Sequence, residues 1–284
     1  MLSSLVRSSL RLSALLVFSA CVGDSAVVTP VADSGVDANV ADSSVPNDAV
    51  SPVDAGSDAK LPFTPKSLAS LALWLDGSVG VTTSSGKVSK WGDQSGKGND
   101  AVQQNAQYQP LLSSKINNRD CLYFNQTGAP VQLTVPSPTG ASMSGDFLVM
   151  VVFQTTLPTS SVSSLFRSEA SGTTDTALEV LPPTLSASFT ISGTGKYVAA
   201  PQQIFSDQKP HVGGMRKTGT KLEILADGAN ASVTGLPAGD PSGLFVVGGQ
   251  LKGAICEVVL ATGTIDQTST DTLMTYLKTK YAIN

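Results

Sequence analysis

The sequence is poor in the side chains that most enzymes use for acid–base and metal chemistry. Its 284 residues include a single histidine, His211, and charged residues make up only 14%. One imidazole excludes a zinc site built from several histidines. A Ser–His–Asp triad would have to use this one residue, which begins an ordinary strand pattern, and the pattern G-x-S-x-G does not occur. The composition therefore favours binding or a structural role over these classes of catalysis.

Aromatic side chains are also scarce, at 6% of the chain, which limits how a sugar-binding surface could be built. Such surfaces commonly use exposed Tyr or Trp rings, which combine an apolar body with a polar tip. Trp74, in LALWLD, and Trp91, in KWGDQSGKGNDA, are expected in the core, because these motifs resemble those of a known family in which the two positions are core. Tyr108, Tyr123 and Tyr197 remain, and each is expected to be a partly buried packing residue. No residue stands out as a recognition site.

The first 20 residues have the organisation of a signal peptide. Arg7 and Arg11 precede an apolar run at residues 12–18, which ends in Ser19 and Ala20. A positive start, a short apolar stretch and small residues are typical of an export signal. The run is shorter than the roughly 20 residues that a membrane-spanning helix needs. The sequence therefore predicts an exported protein that loses residues 1–20.

Cys21 follows directly after the small residues, in the sequence FSAC. This stretch resembles the lipobox of bacterial lipoproteins, with Phe18 in place of the usual leucine. The resemblance implies that the Cys21 thiol receives a diacylglycerol and anchors the protein to the cell envelope, at the outer membrane or the cell surface. Ordinary signal cleavage, with an incidental cysteine, is the alternative.

Residues 21–60 form a segment of biased composition. Positions 22–59 contain seven aspartates and no lysine, arginine or aromatic residue. Such a segment cannot bury enough apolar surface to fold, so we expect a solvated, disordered tether. With +2 on residues 1–20 and −7 on residues 22–59, the net charge of −4 leaves +1 for residues 60–284. A nearly neutral domain argues against nucleic acid as a partner, and the membrane is expected to be contacted only through the lipid anchor.

Residues 61–284 read as one all-β domain. VQLTV at 131–135 alternates like a half-buried strand, and LSASFTI at 185–191 places Leu185, Ala187, Phe189 and Ile191 on one face. DFLVMVVFQ at 146–154 is apolar on both faces, which is typical of a central strand. Many short strands between Gly- and Pro-rich turns indicate a sandwich or jelly roll. A single helix is predicted at the C-terminus, with Asp266 as its N-cap.

Several motifs of this domain resemble the bacterial LamG-like jelly-roll domains of the concanavalin A-like lectin/glucanase superfamily. They are LALWLD, KWGDQSGKGNDA and CLYFN near the start, and GAICEVVLA and YLKTKYAI near the end. Asn125 and Ala282 replace an aspartate and a glycine of the family pattern. The resemblance covers nearly all of residues 61–284 and implies two antiparallel sheets followed by one C-terminal helix.

The loop at residues 91–101, WGDQSGKGNDA, is expected to be a signature of this fold. Trp91 would anchor the core, Gly96 and Gly98 would allow positive φ angles, and Asp93, Ser95 and Asn99 would bond nearby backbone amides. Calcium binding is the alternative, since some members of the superfamily bind this ion at sheet edges. The loop lacks the closing glutamate of an EF-hand and contains Lys97. No other cofactor is expected.

Two cysteines remain when Cys21 is set aside as the lipid site. An even number in an exported domain favours a disulfide between Cys121 and Cys256. The resemblance implies that the early strand with Cys121 and the late strand with Cys256 are neighbours. Two buried free thiols are the alternative.

The arrangement of acidic residues on the strands indicates whether the protein is expected to be a glycoside hydrolase. Glucanases of the superfamily place several acids on one face of a strand, whereas Glu179, Glu223 and Glu257 each appear alone in their strand patterns. We therefore expect no catalytic residues and a lipid-anchored, cell-surface binding module for glycans or extracellular proteins. A carbohydrate-active enzyme with a carboxylate pair from different strands and a structural envelope protein are the alternatives.

Overall fold

A computed structural model describes residues 63–125, 130–155, 162–201 and 205–284. The predicted signal peptide, Cys21 and the tether lie outside these residues. The described part contains a 3-10 turn at Pro65–Ser67 and one α-helix, α1 (Gln267–Tyr281). It also contains the strands β1 (Leu71–Asp76), β2 (Val81–Ser84), β3 (Lys87–Trp91), β4 (Ala101–Val102), β5 (Leu111–Ile116), β6 (Arg119–Asn125), β7 (Gln132–Val135), β8 (Phe147–Thr155), β9 (Ser163–Ser171), β10 (Thr174–Leu181), β11 (Thr184–Ile191), β12 (Thr194–Ala199), β13 (Pro210–Thr218), β14 (Lys221–Ala226), β15 (Ala229–Thr234), β16 (Leu244–Gly248) and β17 (Lys252–Thr262).

The strands form two layers around one core, and all their pairings are antiparallel. In the helix-side layer, β8 lies between β13 and β17, β14 and β15 follow β13, and β1 and β6 share the far edge of β17. The open layer has the order β12–β11–β10–β9–β16–β7–β4–β3. β5 pairs with both β3 and β6 and joins the layers, so the hydrogen bonds form one nearly closed, barrel-like sheet.

The predicted all-β antiparallel class is confirmed, but the division into two separate sheets is not what the hydrogen bonds show. The reason is β5, which continues the ladder across the gap between the layers. Residues 111–116 combine two leucines with polar residues and a lysine and have no clear apolar alternation, so their sequence does not predict a strand.

The position of β8 between two apolar clusters explains why its sequence is apolar at nearly every position. Its odd-numbered residues face the main core between the layers, and its even-numbered residues face the second apolar cluster, beneath α1. Phe147, Val149, Val151 and Phe153 form the first set, and Leu148, Met150 and Val152 the second. The prediction of a central strand covered on both sides is confirmed.

The C-terminal helix packs on the outer face of the helix-side layer. Asp266 is its N-cap, and its side chain accepts a hydrogen bond from the backbone N–H of Ser269, as predicted. Leu273 and Leu277 are fully buried against the sheet. Ala282 ends the helix in the left-handed conformation, with φ of 51°, which is the conformation that favours the glycine of the family pattern. Among the described residues, no helix is long and apolar enough to cross a membrane.

The structure joins Cys121 of β6 and Cys256 of β17 by a disulfide with an S–S distance of 2.05 Å. The two residues lie on adjacent strands and belong to the apolar cluster beneath α1. Both are fully buried. The bridge therefore lies on the outer face of the sheet, but the helix covers it.

Candidate functional site

Asp93 organises the loop at residues 91–101. Its carboxylate accepts hydrogen bonds from the backbone N–H groups of Trp74, Ser95 and Asn99 at 2.9–3.0 Å, and from the Ser95 hydroxyl at 2.6 Å. Both carboxylate oxygens are therefore used to hold the chain in this conformation, whereas a calcium ion needs several oxygens directed at one point. The described residues contain no group of three or more His, Cys, Asp or Glu that could hold a metal.

The rest of the loop connects distant parts of the fold. Trp91 is fully buried, and its indole N–H donates to the Asp76 carbonyl at 2.8 Å. The Asn99 amide donates to the carbonyls of Ala72 and Thr139. Gly96 and Gly98 have φ angles of 85° and 75°, which turn the chain back on itself. These contacts support a structural role for the loop.

Glu257, one of the three isolated glutamates, is the centre of a buried charge cluster. It is fully buried and accepts hydrogen bonds from Lys280 Nζ at 2.6 Å, Trp74 Nε1 at 2.7 Å and the Tyr281 hydroxyl at 2.9 Å. Lys280 also contacts Asp76 at 2.6 Å. Burial raises the pKa of Glu257, and the charge of Lys280 partly opposes this shift. The cluster ties the end of α1 to the sheet and has no opening for a ligand.

Glu223 has a similar structural role at the other end of the helix. It accepts two hydrogen bonds from the Arg216 guanidinium, at 2.6 and 2.8 Å, and one from Lys221. Arg216 also donates to Thr270 and Gln267 of α1. Burial alone would raise the pKa of Glu223, but its cationic partners lower it overall. Glu223 and Glu257 therefore belong to the packing of the helix.

His211 is held between two carboxylates. Its Nδ1 lies 2.7 Å from Asp227, and its Nε2 lies 2.9 Å from Asp207. Burial alone would lower the pKa of His211, but the hydrogen bonds and charges of the two aspartates raise it overall. Both ring nitrogens are occupied, so neither is free to act as the general base of a Ser–His–Asp triad.

The outer face of the open layer is not covered by α1 and carries a different set of side chains. Strand register places Arg167 of β9 opposite Val246 of β16 on one side and Ala177 of β10 on the other. The same row continues through Ser188 of β11 to Tyr197 of β12. Residues opposite each other in antiparallel strands share a face, so Arg167 and Tyr197 project from the same side of the sheet.

A bulge in β9 determines which residues reach this face. The register with β10 shifts around Leu165, and Leu165 and Phe166 are both fully buried in the core. The extra residue places Ser164 opposite Glu179 on the outer face. Bulges commonly redirect side chains in this way and are frequent next to functional sites.

Arg167 lies between two carboxylates on this face. Its guanidinium is 3.3 Å from Glu179 and 3.8 Å from Glu169. Its Nε is buried and has no hydrogen-bond partner among the described residues. The Arg167 and Glu169 side chains are each 35% exposed, so solvent or a ligand can reach them.

A recess of about 130 Å³ opens beside Arg167. Its lining includes Gln132, Ser164, Val246 and the backbone of Gly248. Ser164 is only 5% exposed, and its hydroxyl has no partner in the described structure. A buried hydroxyl without a hydrogen bond is uncommon in proteins, and at a recess it indicates a position where a ligand or water completes the bonding.

Exposed apolar side chains accompany these polar groups. Large hydrophobic residues are exposed at four positions of the described chain: Val79, Val162, Tyr197 and Leu244. Val162 lines the recess, Leu244 lies opposite Glu169 on β16, and Tyr197 is 74% exposed at the end of the Arg167 row. The expectation that Tyr197 packs partly buried is wrong, because β12 is an edge strand and Tyr197 is on its outer side. Trp91 is buried in the main core, as expected, whereas Trp74 is only partly buried and packs against the cluster beneath α1.

The expectation that Glu179 is alone in its strand is wrong. β10 is longer than the pattern indicated and carries Asp175 and Glu179 on its outer face, next to Glu169 of β9. A usable signal existed in the sequence. The charged residues of RSEASGTTDTALE, at positions 167, 169, 175 and 179, are all separated by even numbers of residues, so they would meet on one face of a hairpin.

Comparison with known proteins gives a likeness in fold only. No protein-family model and no curated protein sequence matches the chain. A mutant sialidase of Trypanosoma rangeli with trans-sialidase activity matches 75% of this chain with a TM-score of 0.55 and 14% identity. The same sialidase in complex with sialic acid gives a TM-score of 0.51 at 15% identity, also over 75% of this chain. The binding domain of botulinum neurotoxin serotype D gives 0.57 at 10% identity over 75%.

This chain spans only part of those proteins, 33% of each sialidase chain and 53% of the neurotoxin domain. The matches support a β-sandwich or jelly-roll fold.

Proposed function

We propose that the domain is a non-catalytic glycan-binding module, which the protein carries at the cell surface on a lipid anchor. The observation that carries this proposal is the outer face of the open layer. There Arg167, the unpartnered Ser164 hydroxyl and the exposed ring of Tyr197 lie on one side of the sheet. Sugar recognition needs hydrogen-bonding groups for hydroxyls and an aromatic ring for the apolar face of the pyranose.

The similar structures support the class of ligand. One is a sialidase in complex with sialic acid, and another is a toxin binding domain. The sequence motifs add a LamG-like jelly roll to the proposal, with the helix-side and open layers facing each other across its core. An extracellular protein is the alternative ligand within the same class of function.

A carbohydrate-active enzyme is the second candidate, because Glu169 and Glu179 lie on one face. Glycoside hydrolysis needs two carboxyl groups roughly 5–10 Å apart with the scissile bond between them. Here the Arg167 guanidinium lies between the two carboxylates and contacts both. The position that a substrate bond would need is therefore filled, which favours binding over hydrolysis.

Membrane attachment forms a separate part of the proposal and depends on Cys21 and the preceding apolar run. Metabolic labelling with a fatty-acid analogue should mark the wild type. The Cys21→Ser variant should carry no label, and it should be either secreted or left with its signal peptide uncleaved. Equal labelling of the two forms would show that the protein has no lipid at this cysteine.

The binding function is tested with full-length protein, purified in detergent, on a glycan array. Wild type should bind at least one glycan, and Arg167→Met should abolish the signal. Tyr197→Ala should weaken it about fivefold, which corresponds to about 1 kcal/mol for one aromatic contact. Val79→Ala removes an exposed apolar side chain elsewhere and should bind like the wild type.

Release of reducing ends from the same polysaccharides separates the candidates. The proposed module should release none. Release that disappears in Glu179→Gln would establish the enzyme instead. An empty array, with all variants folded, would contradict glycan binding and favour a protein ligand or a structural role in the envelope.

A further inference from the structure

The charges on the outer face of the open layer define what kind of glycan it can accept. Among the described outward-facing positions of β7, β16, β9, β10, β11 and β12, Arg167 is the one cation. The same positions contain three carboxylates, those of Glu169, Asp175 and Glu179. Two of them already contact the guanidinium. Lys90 lies on the same face four strands away, on β3, and is already paired with a carboxylate. The site therefore has a net negative charge although an arginine is at its centre.

This arrangement opposes an anionic ligand. A carboxylate or sulfate that approached Arg167 would have to displace or lie beside Glu169 and Glu179, which are both within 4 Å of the guanidinium. Like charges at such distances repel strongly when they are partly shielded from water, and Glu179 is only 17% exposed. The arginine is therefore already neutralised for an incoming anion.

The same groups suit uncharged hydroxyls. A hydroxyl donates one hydrogen bond and accepts others, so one hydroxyl of a sugar can donate to Glu169 or Glu179 while a neighbouring one accepts from the guanidinium. The buried Ser164 hydroxyl and Arg167 Nε are two further groups without partners among the described residues. They adjoin the recess of about 130 Å³, which has room for a few water-sized groups.

Only small side chains separate Arg167 from Tyr197 along their cross-strand row. The two residues are three strands apart, which is about 14 Å at the usual strand spacing. Ala177 and Ser188 lie between them in the same row and have small side chains. A row of this length that ends in an exposed ring fits an oligosaccharide lying across the strands better than a single sugar.

We infer that the ligand is an uncharged oligosaccharide, which places adjacent hydroxyls at Arg167, Glu169 and Glu179 and a sugar ring on Tyr197. Glycans that contain sialic acid, uronic acid or sulfate are excluded, because the two flanking glutamates repel their negative charge. This inference rests on the proposed glycan-binding function and specifies its ligand class.

The test uses matched pairs of probes with full-length protein in detergent. Each pair is a neutral oligosaccharide and its sulfated or sialylated form, for example lactose and sialyllactose, across galacto-, manno-, gluco- and xylo-oligosaccharides. In any pair that binds, the neutral oligosaccharide should bind at least about tenfold more tightly than its charged form. Because the repulsion is electrostatic, the ratio should shrink in 1 M NaCl, where the Debye length is about 3 Å.

Variants test which side chains cause the preference for neutral oligosaccharides. The double variant Glu169→Gln/Glu179→Gln should reduce the ratio of neutral to charged binding by about tenfold, whatever it does to the absolute affinity. Arg167→Met should abolish binding of both members. Lys66→Ala removes one exposed positive charge on the 3-10 turn, away from this face, and should leave the ratio unchanged.

The outcomes separate the two proposals. If the charged member of a pair bound equally or more tightly, and Arg167→Met abolished that binding, the glycan-binding function would stand and the inference on charge would be wrong. If no probe of either charge bound to the folded protein, the proposed function would fall and this inference with it.

Discussion

The buried contact between Lys280 and two carboxylates offers a sharp test of how α1 is held. Lys280 Nζ lies 2.6 Å from Asp76 and 2.6 Å from Glu257, and the three side chains are at most 9% exposed. Lys280→Met keeps the length and apolar stem of the side chain but removes its charge. Two carboxylates would then remain buried without their common cation.

The expected loss is large because solvent cannot replace the missing partner. Removing one member of a buried ion pair typically destabilises a protein by about 3–5 kcal/mol, since an uncompensated charge stays behind. Here Glu257 keeps its hydrogen bonds from Trp74 and Tyr281, so we expect about 4 kcal/mol. This is a substantial fraction of the roughly 5–15 kcal/mol that stabilises a typical domain.

The loss should depend on pH in a defined direction. Burial already raises the pKa of Glu257, and Lys280 opposes that shift, so the variant should raise it further. A carboxyl group whose pKa is higher in the folded state destabilises the fold as pH rises above its unfolded value of about 4.3. The difference in unfolding free energy between the variant and the wild type should therefore be small near pH 5 and largest near pH 8.

Urea unfolding followed by tryptophan fluorescence measures this directly, because the Trp74 indole N–H donates to Glu257. Lys278→Met is the matched control, since Lys278 lies on the same turn of α1 and donates to a single backbone carbonyl at 3.3 Å. The Lys278→Met variant should lower the free energy of unfolding by less than about 1.5 kcal/mol. The double variant Lys280→Met/Glu257→Gln should recover part of the loss. A loss equal to that of the control, or one that is the same at pH 5 and pH 8, would refute the anchoring role.

Four further predictions follow from other parts of the domain. Ala282→Gly should stabilise the protein by about 1 kcal/mol in urea unfolding, because φ at this position is 51° and glycine adopts that conformation without strain; an unchanged midpoint would contradict this. Asp93→Ala should lower the melting temperature strongly, and millimolar calcium and a chelator should give the wild type equal melting temperatures, whereas a calcium-dependent rise would restore the metal alternative. The pKa of His211 is raised in the fold, so its stabilising contribution is present below its unfolded pKa of about 6.5 and is lost as pH rises through the folded value; His211→Gln should flatten the dependence of unfolding free energy on pH above 6, and an unaltered profile would exclude the histidine as its source. A non-reduced digest analysed by mass spectrometry should contain a peptide linking Cys121 and Cys256, and two alkylatable thiols would show that the bridge does not form.

Much of the architecture was predictable from the sequence because periodicity reports burial directly. Residues 147–153 are apolar without interruption, which identified β8 as a strand covered on both sides. The alternation of Leu185, Ala187 and Phe189 identified the inner face of β11. Asp266 and the spacing of apolar residues identified α1. In each of these cases the signal lies within one segment and depends on local geometry alone.

The candidate site was not predictable in the same way, because its residues come together through the pairing of strands. Alternation indicates which face of a strand a residue occupies, but it does not specify which residue of the next strand lies beside it. That register depends on turns and on the bulge at Leu165, which brings Ser164 opposite Glu179. The exposure of Tyr197 likewise depends on β12 lying at a sheet edge. The sequence determined the strands and their buried faces, whereas the tertiary structure determined which side chains meet on the open face, because neighbours across strands are selected by long-range pairing.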